Sequence, residues 1–239
     1  MRIAIIPARM GSKRIKTKNT VDFFGKPMIA YALEAAEKAD LFDKIHVSTE
    51  SEAIRDVVQG LGYGIDFLRP SELADDFTGL TPVIRWVIEA YRRRGLHFED
   101  ICCLMPAAPL LEPEDIVQAY NLYVKYDRKH PLHVVAKFPV PLEWAYYRDN
   151  EGFLTPVVTG GYATRSQDLK EAYYETGPFS FFHVSHVLGD QPAKDKGFIS
   201  LVIPRDRAID IDNPEDLRLA EALYLGKQAR EQAARDSER

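Results

Sequence analysis

The sequence predicts an α/β protein built on a mainly parallel sheet, with helices on both faces. Three observations predict it. Short apolar runs alternate with segments of helical spacing through most of the 239 residues, the texture of strand–helix–strand units. One run, Ile101 to Leu104, is apolar at every position, as in a strand covered on both sides. A cationic loop follows the first run directly, and such sheets bind ligands beyond the carboxyl ends of their strands.

Taken in order, Ile3 to Pro7 reads as the first strand. Pro27 to Ala39 has helical spacing, with Met28, Tyr31, Ala32, Ala35 and Ala36 on one side. Lys44 to Ser48 is the second strand, Ser51 to Gly60 the second helix with Ser51 as N-cap, and Ile65 to Leu68 a third strand. In the third helix Thr81 is the expected cap and Pro82 the first helical residue. Arg92, Arg93 and Arg94 complement its negative end, and Gly95 can stop it. Ile101 to Leu104, a helix over Glu112 to Arg128, and a strand over His133 to Ala136 follow. Pro139 and Pro141 then break the texture. Trp144, Tyr146 and Tyr147 lead into Asp149-Asn150-Glu151-Gly152, a hairpin turn signal within a small β-rich insertion ending near Ala172. Phe179 to Val184 and Phe198 to Ile203 read as strands. Asn213-Pro214 opens the last helix, with Glu215 and Asp216 in its first turn. After Gly226 the chain is charged and alanine-rich, an expected exposed tail over residues 227–239.

The composition, 46% hydrophobic and 28% charged with net charge -5, fits a globular protein with a sizeable core. It argues against a nucleic-acid surface, which needs a basic domain or patch. The two cysteines, Cys102 and Cys103, are adjacent. On a strand they point to opposite faces, so reduced, buried thiols and a cytoplasmic setting are expected. The N-terminus opens straight into a strand-like run, and no apolar run nears ~18 residues, so neither a signal peptide nor a membrane span is expected.

Residues Ile5 to Asn19 read IIPARMGSKRIKTKN. Arg9 offers a planar fork for phosphate oxygens, and Lys13, Arg14 and Lys18 add charge. Gly11 permits backbone angles that turn amides toward an anion. The spacing is neither that of a Walker A loop nor of a dinucleotide fingerprint. By charge alone a solvated basic loop is an equal reading. Attachment to a buried strand favours phosphate. Near the other end, Asp210 and Asp212 are two apart, so an extended backbone places both carboxylates on one face. Two carboxylates beside phosphate are what Mg²⁺ accepts, although spacing alone is a weak signal.

The first loop, followed by Gly-Lys-Pro-Met (Gly25 to Met28), resembles the signature of the sugar-activating cytidylyltransferases, the family that includes the CMP-sialic acid synthetases. Five more segments fit: VSTES (Val47 to Ser51), LRPSELADD (Leu68 to Asp76), CCLMPAAPLL (Cys102 to Leu111), RSQDLKEAYYETGPFSFF (Arg165 to Phe182) and IDIDNPEDL (Ile209 to Leu217). The Cys-Cys pair and the Arg-Ser-Gln-Asp-Leu run resemble the pseudaminic acid branch. The chain departs at Met10, where relatives carry Gly, at Met105, where the sialic acid type carries Gln, and at Tyr174-Glu175-Thr176-Gly177, where the pseudaminic acid type carries His-Asp-Ala-Gly.

The resemblance implies a Rossmann-like nucleotide-diphospho-sugar transferase fold. Its nucleotide-binding α/β domain would span residues 1–138 and 173–226, and residues 139–172 would form a small dimerisation lobe. It implies transfer of CMP from CTP to a 2-keto-3-deoxy nonulosonic acid, with Mg²⁺ as cofactor, and a homodimer that engages neither nucleic acid nor membrane. Ala8, Arg9, Gly11, Ser12, Lys13, Asn19 and Arg69 are the implied CTP residues, with Arg9, Lys18 and Asp212 catalytic. Met105, Arg165, Gln167, Tyr174 and Phe181 are the implied sugar residues, and Asp210 and Asp212 the metal pair. For the aromatic run at Phe179, Phe181 and Phe182, plain strand core is the competing reading. The remaining alternatives are the same reaction on legionaminic, sialic or octulosonic acid derivatives, and a non-catalytic binding protein of the same fold.

Overall fold

A computed structural model describes residues 1–189 and 197–237. In chain order its elements are β1 (Arg2–Pro7), β2 (Asp22–Phe23), β3 (Lys26–Pro27), α1 (Met28–Lys38), β4 (Lys44–Ser48), α2 (Glu52–Gly60), α3 (Leu80–Arg92), β5 (Asp100–Leu104), α4 (Pro113–Lys125), β6 (Leu132–Lys137), β7 (Tyr146–Arg148), β8 (Leu154–Pro156), β9 (Tyr173–His183), α5 (Ser185–Leu188), β10 (Ile199–Val202) and α6 (Pro214–Ser237). The main sheet runs β10-β6-β9-β5-β1-β4. Strand β1 lies parallel to both β4 and β5, and β10 parallel to β6, whereas β9 is antiparallel to both its neighbours.

Alternation along the strands builds a core on each face. Ala4, Ile6, Cys102 and Leu104 pack with α1, α2 and α4, while Ile3, Ile5, Ile101 and Cys103 pack with α3 and α5. The adjacent thiols are thus unpaired and buried on opposite faces. A third cluster, including Ile15, Phe23, Met28, Ala107, Ile211 and Ala220, fastens the loop after β1 to the segment before α6. It brings regions about two hundred residues apart in sequence together. Phe24 and Gly25, both at positive φ (50° and 82°), form the two-residue turn of the β2–β3 hairpin. A two-residue hairpin turn favours positive φ at both central positions, which suits Gly25.

Helix ends differ from the sequence expectation at α3 and α6. Helix α3 begins at Leu80 with Gly79 as its extended N-cap, so Pro82 falls at the third helical position. Proline is tolerated there because the first four amides of a helix have no intrahelical partner. At the other end Gly95 has φ 80°, and the Leu96 amide donates to the Tyr91 carbonyl at 3.0 Å, closing the helix as expected. Helix α6 runs on past Gly226 to Ser237, so this stretch is helical, and residues 228–237 are exposed as expected.

Ile65 to Leu68 forms no strand beside the edge strand β4. Its Phe67 covers a buried polar chain instead. Phe67 packs on His46 (ring centroids 4.6 Å apart) and Tyr91 (4.9 Å). The Tyr91 hydroxyl donates to Asp66 at 2.8 Å, so it receives the Nδ1–H of His46 at 3.0 Å. Lys44 pairs with Asp66 at 2.6 Å. His46 is fully buried and its Nε2 has no partner, and burial pushes its pKa down to about 3. An unfolded histidine titrates near 6.5, so this group's contribution is complete above that value and is lost as pH falls toward 3. The expected loss is about 2 kcal/mol by pH 5. Urea unfolding at pH 7 and pH 5 checks it: His46→Gln should lose less stability than the unsubstituted chain over that interval.

Candidate active site

The main cavity, about 560 Å³, opens where β1 and β5 end. Arg9, Ser12, Lys13, Arg14, Lys18 and Asn19 line one wall. Arg69 and parts of the segment from Leu73 to Val83, Asp75 and Asp76 among them, contribute another, Met105-Pro106-Ala107 an apolar patch, and Asp210 and Asp212 the remaining side. The cationic turn and the paired aspartates therefore face the same space.

The loop after β1 is held from behind. The Ala8 amide donates to the Ser48 carbonyl at 2.9 Å, and Asn19 Nδ2 to the Arg9 carbonyl at 2.9 Å. Met10 does not line the cavity and packs against the core. The side chain at this departure therefore leaves the cavity clear. Gly11 is not among the glycines of positive φ. The left-handed conformation in this loop belongs to Thr17, with φ 51°.

Four cations of the turn, Arg9, Lys13, Arg14 and Lys18, meet carboxylates across the cavity. Arg9 Nη1 donates to Asp76 Oδ1 at 2.7 Å and to the Asp75 carbonyl at 3.0 Å, and Lys13 pairs with the second Asp76 oxygen. Lys13 first, then Arg9, hold the Asp76 carboxyl below its usual range. Arg14 pairs with Asp212 at 2.9 Å. Lys18 Nζ lies 3.3 Å from Asp212 Oδ1 and donates to the Ile211 carbonyl at 2.6 Å. Asp210 has neither cation as a direct partner, and desolvation in the cleft, then the Asp212 charge, raise its pKa. Gly177, with φ 69°, brings β9 alongside: a Cβ there would come within 3.8 Å of Asp210 Oδ2.

Asp216 sets the backbone of this pair. It accepts the amides of Asp212 (2.8 Å) and Asn213 (2.9 Å), while Asn213 Oδ1 accepts those of Glu215 (2.8 Å) and Asp216 (3.1 Å). Asn-x-x-Asp is a capping box that was legible in the sequence, where Asp216 was read only as a first-turn charge. Among the described residues no group of three or more His, Cys, Asp or Glu could hold a metal ion. The pair alone still fits Mg²⁺, which takes one or two carboxylates and completes its shell with phosphate and water.

Of the sugar residues expected, Met105 lines the cavity. Phe181 is corrected: it is buried among Phe42, Tyr120, Tyr123 and Phe179 in the core beneath α4 and has no surface to offer a ligand. The strand alternation that sends Phe182 to the other core fixes it there. Arg165, Gln167 and Tyr174 fall outside the main cavity lining. Arg165 is exposed and paired with Asp168 at 2.8 Å. Gln167 lines a smaller cavity of about 300 Å³ at the neck of the insertion, with Lys137 and Lys170. Tyr174 packs on Phe138, ring centroids 5.1 Å apart. Sequence reading passed over Glu50 and the individual parts of Asp75 and Asp76, because their roles depend on segments distant in sequence.

The chain is similar to known proteins along most of its length. The chain is 35% identical over 223 residues to a pseudaminic acid cytidylyltransferase of Campylobacter jejuni, covering 93% of this chain and 95% of that one. It is 31% identical to a CMP-N,N'-diacetyllegionaminic acid synthase of Legionella pneumophila, covering 92% and 95%. In fold it is similar to a CMP:2-keto-3-deoxy-manno-octonic acid synthetase solved in complex with CTP, with TM-score 0.68 at 14% identity over 95% of this chain and 99% of that one. The cytidylyltransferase family model matches residues 3–186. With its cationic turn, its facing carboxylates and this extent of similarity, the chain belongs to the cytidylyltransferase family.

Proposed function

We propose that the protein transfers CMP from CTP to a nonulosonic acid of the pseudaminic type, releasing pyrophosphate. The observation that carries this reading is the meeting of Arg9, Lys13 and Lys18 with Asp210 and Asp212 around one cavity, joined to the similarity to a pseudaminic acid cytidylyltransferase along nearly the whole chain. The sugar's anomeric hydroxyl attacks the α-phosphorus in line, and the pyrophosphate oxygen leaves with the bonding pair. Such transfers depend on positioning and charge neutralisation rather than on a covalent enzyme intermediate.

The cations now held by Asp76 and Asp212 exchange those carboxylates for triphosphate oxygens. Of the cavity lining, Arg69 is assigned to the nucleotide, and Met105, Pro106 and Ala107 would give the sugar an apolar wall. Asp210 and Asp212 would hold Mg²⁺, which when bound supplies charge neutralisation on phosphate and a lowered pKa for the attacking hydroxyl. Among the described residues no histidine lines the cavity, and no general base is assigned. Arg165 and Gln167, remote from the cavity of their own chain, fit a contribution across a subunit interface. We place the reaction in the cytoplasm, where the two unpaired thiols stay reduced.

Pyrophosphate release with CTP, Mg²⁺ and a panel of pseudaminic, legionaminic, sialic and octulosonic acids tests the proposal. Turnover should be fastest with pseudaminic acid. A preference for legionaminic acid would transfer the reading to that sugar, and release with none of them would refute it.

A homodimer is part of the proposal. The 139–172 insertion carries its own two-stranded sheet, β7–β8. It leaves Trp144, Tyr146, Tyr147 (69% exposed), Phe153 (68%) and Leu154 (59%) open to solvent. Aromatic residues of this kind are enriched in interfaces. Light scattering at micromolar concentration should give twice the 27.2 kDa chain mass. A monomer there would refute the dimer.

A further inference from the structure

We infer that Glu50 is a positioning residue for nucleotide binding, one side chain that fixes two walls of the cavity at once. It follows β4 and does not line the cavity itself. Its Oε1 accepts the Met10 amide at 2.9 Å, in the turn that carries Arg9 and Lys13. Its Oε2 accepts Arg69 Nη2 at 2.9 Å. The Arg69 side chain is only 3% exposed and Glu50 18%, so the pair is screened little by solvent. The Arg69 backbone is tied to the same strand end, its amide donating to the Thr49 carbonyl at 2.9 Å.

The two donors place different demands on the side chain. A carboxylate offers an acceptor to each, and its charge offsets a buried guanidinium that also feels Arg9. Glutamine has the same length but one acceptor oxygen, and its NH₂ would face either the Met10 amide or Arg69, donor against donor. Aspartate keeps the charge but is one methylene shorter. The inference rests on the CTP reading above, and its effect is specific: loss of Glu50 loosens the nucleotide walls and leaves the sugar's wall at Met105 to Ala107 in place.

The experiment is a split of kinetic constants and a direct binding measurement. Glu50→Gln should raise KM for CTP by about tenfold or more while leaving KM for the sugar within about twofold, as expected for a lost charge-assisted hydrogen bond. Calorimetric binding of CTP without sugar should weaken by a similar factor. Glu50→Asp should fall between the two. If Glu50→Gln does not fold, Glu50→Asp carries the test: it keeps the charge beside Arg69 while its shorter side chain cannot hold both donors, and its KM for CTP should still rise more than its KM for the sugar. Unchanged CTP affinity in whichever variant folds, or equal losses for both substrates in step with the melting temperature, would overturn the inference. Failure of the unsubstituted protein to bind CTP would overturn the CTP reading itself, and the inference with it.

Discussion

Replacing Asp212 by alanine is expected to reduce turnover on the order of 10³-fold, the cost of removing one preorganised charge from a phosphoryl-transfer site, while CTP still binds weakly. Asp212 already has a defined place: its carboxylate meets Arg14 and Lys18, and its amide is held by Asp216. Removing the carboxylate leaves both cations free to hold triphosphate oxygens, which is why binding should outlast chemistry. The check is pyrophosphate release with saturating Mg²⁺, paired with calorimetric CTP binding. Asp212→Asn should resemble alanine in rate, since the amide keeps the hydrogen-bonding shape and loses the charge. Turnover near that of the unsubstituted chain in either variant would remove Asp212, and with it the proposed metal pair, from the mechanism.

Phe181→Ala should act on the fold. The ring is 1% exposed, stacks on Tyr123 with centroids 6.0 Å apart, and meets Phe179 edge-on at 5.9 Å. Truncating a buried phenylalanine to alanine typically costs about 3–5 kcal/mol, from lost transfer energy and the cavity left behind. In a chain of this size each kcal/mol lowers Tm by roughly 2–4 °C, so a fall of about 10 °C is expected. Thermal unfolding measures it, with KM for the sugar recorded below the transition. A stable variant with a raised sugar KM would restore Phe181 to the binding site and contradict the packing described above.

The case of Phe181 shows where sequence reading carries and where it stops. The parallel-sheet texture was legible because buried strands and capped helices write themselves locally: Ile101 to Leu104, Ser51 before α2, and Gly95 after α3. The cationic turn and the two aspartates were legible as chemistry for the same reason. What brings them together, Ile15 and Ile211 in one apolar cluster, is a long-range contact that no window of sequence contains. Ile65 to Leu68 misled because Ile65 packs on one core and Phe67 covers His46 and Tyr91 on the other, a packing role that leaves the same signature as a strand. Glu50 and Asp76 were unreadable in isolation, since an acidic residue becomes informative only when its partner across the cavity is known. Phe181 stood in a motif read for its chemistry, and period-2 alternation decided its side.

Strand β9 has a consequence for how the chain reaches this state. It lies between β5 and β6, which have no pairing with each other except through it. During synthesis, the three-stranded part β4-β1-β5 and the lone strand β6 must therefore wait unjoined until residues 173–183 have left the ribosome, with the edges of β5 and β6 open in the meantime. Such open edges are templates for association with other chains. A chain interrupted before residue 173 would be expected to aggregate on release, whereas one carried through β9 would have β6 joined to the rest of the sheet.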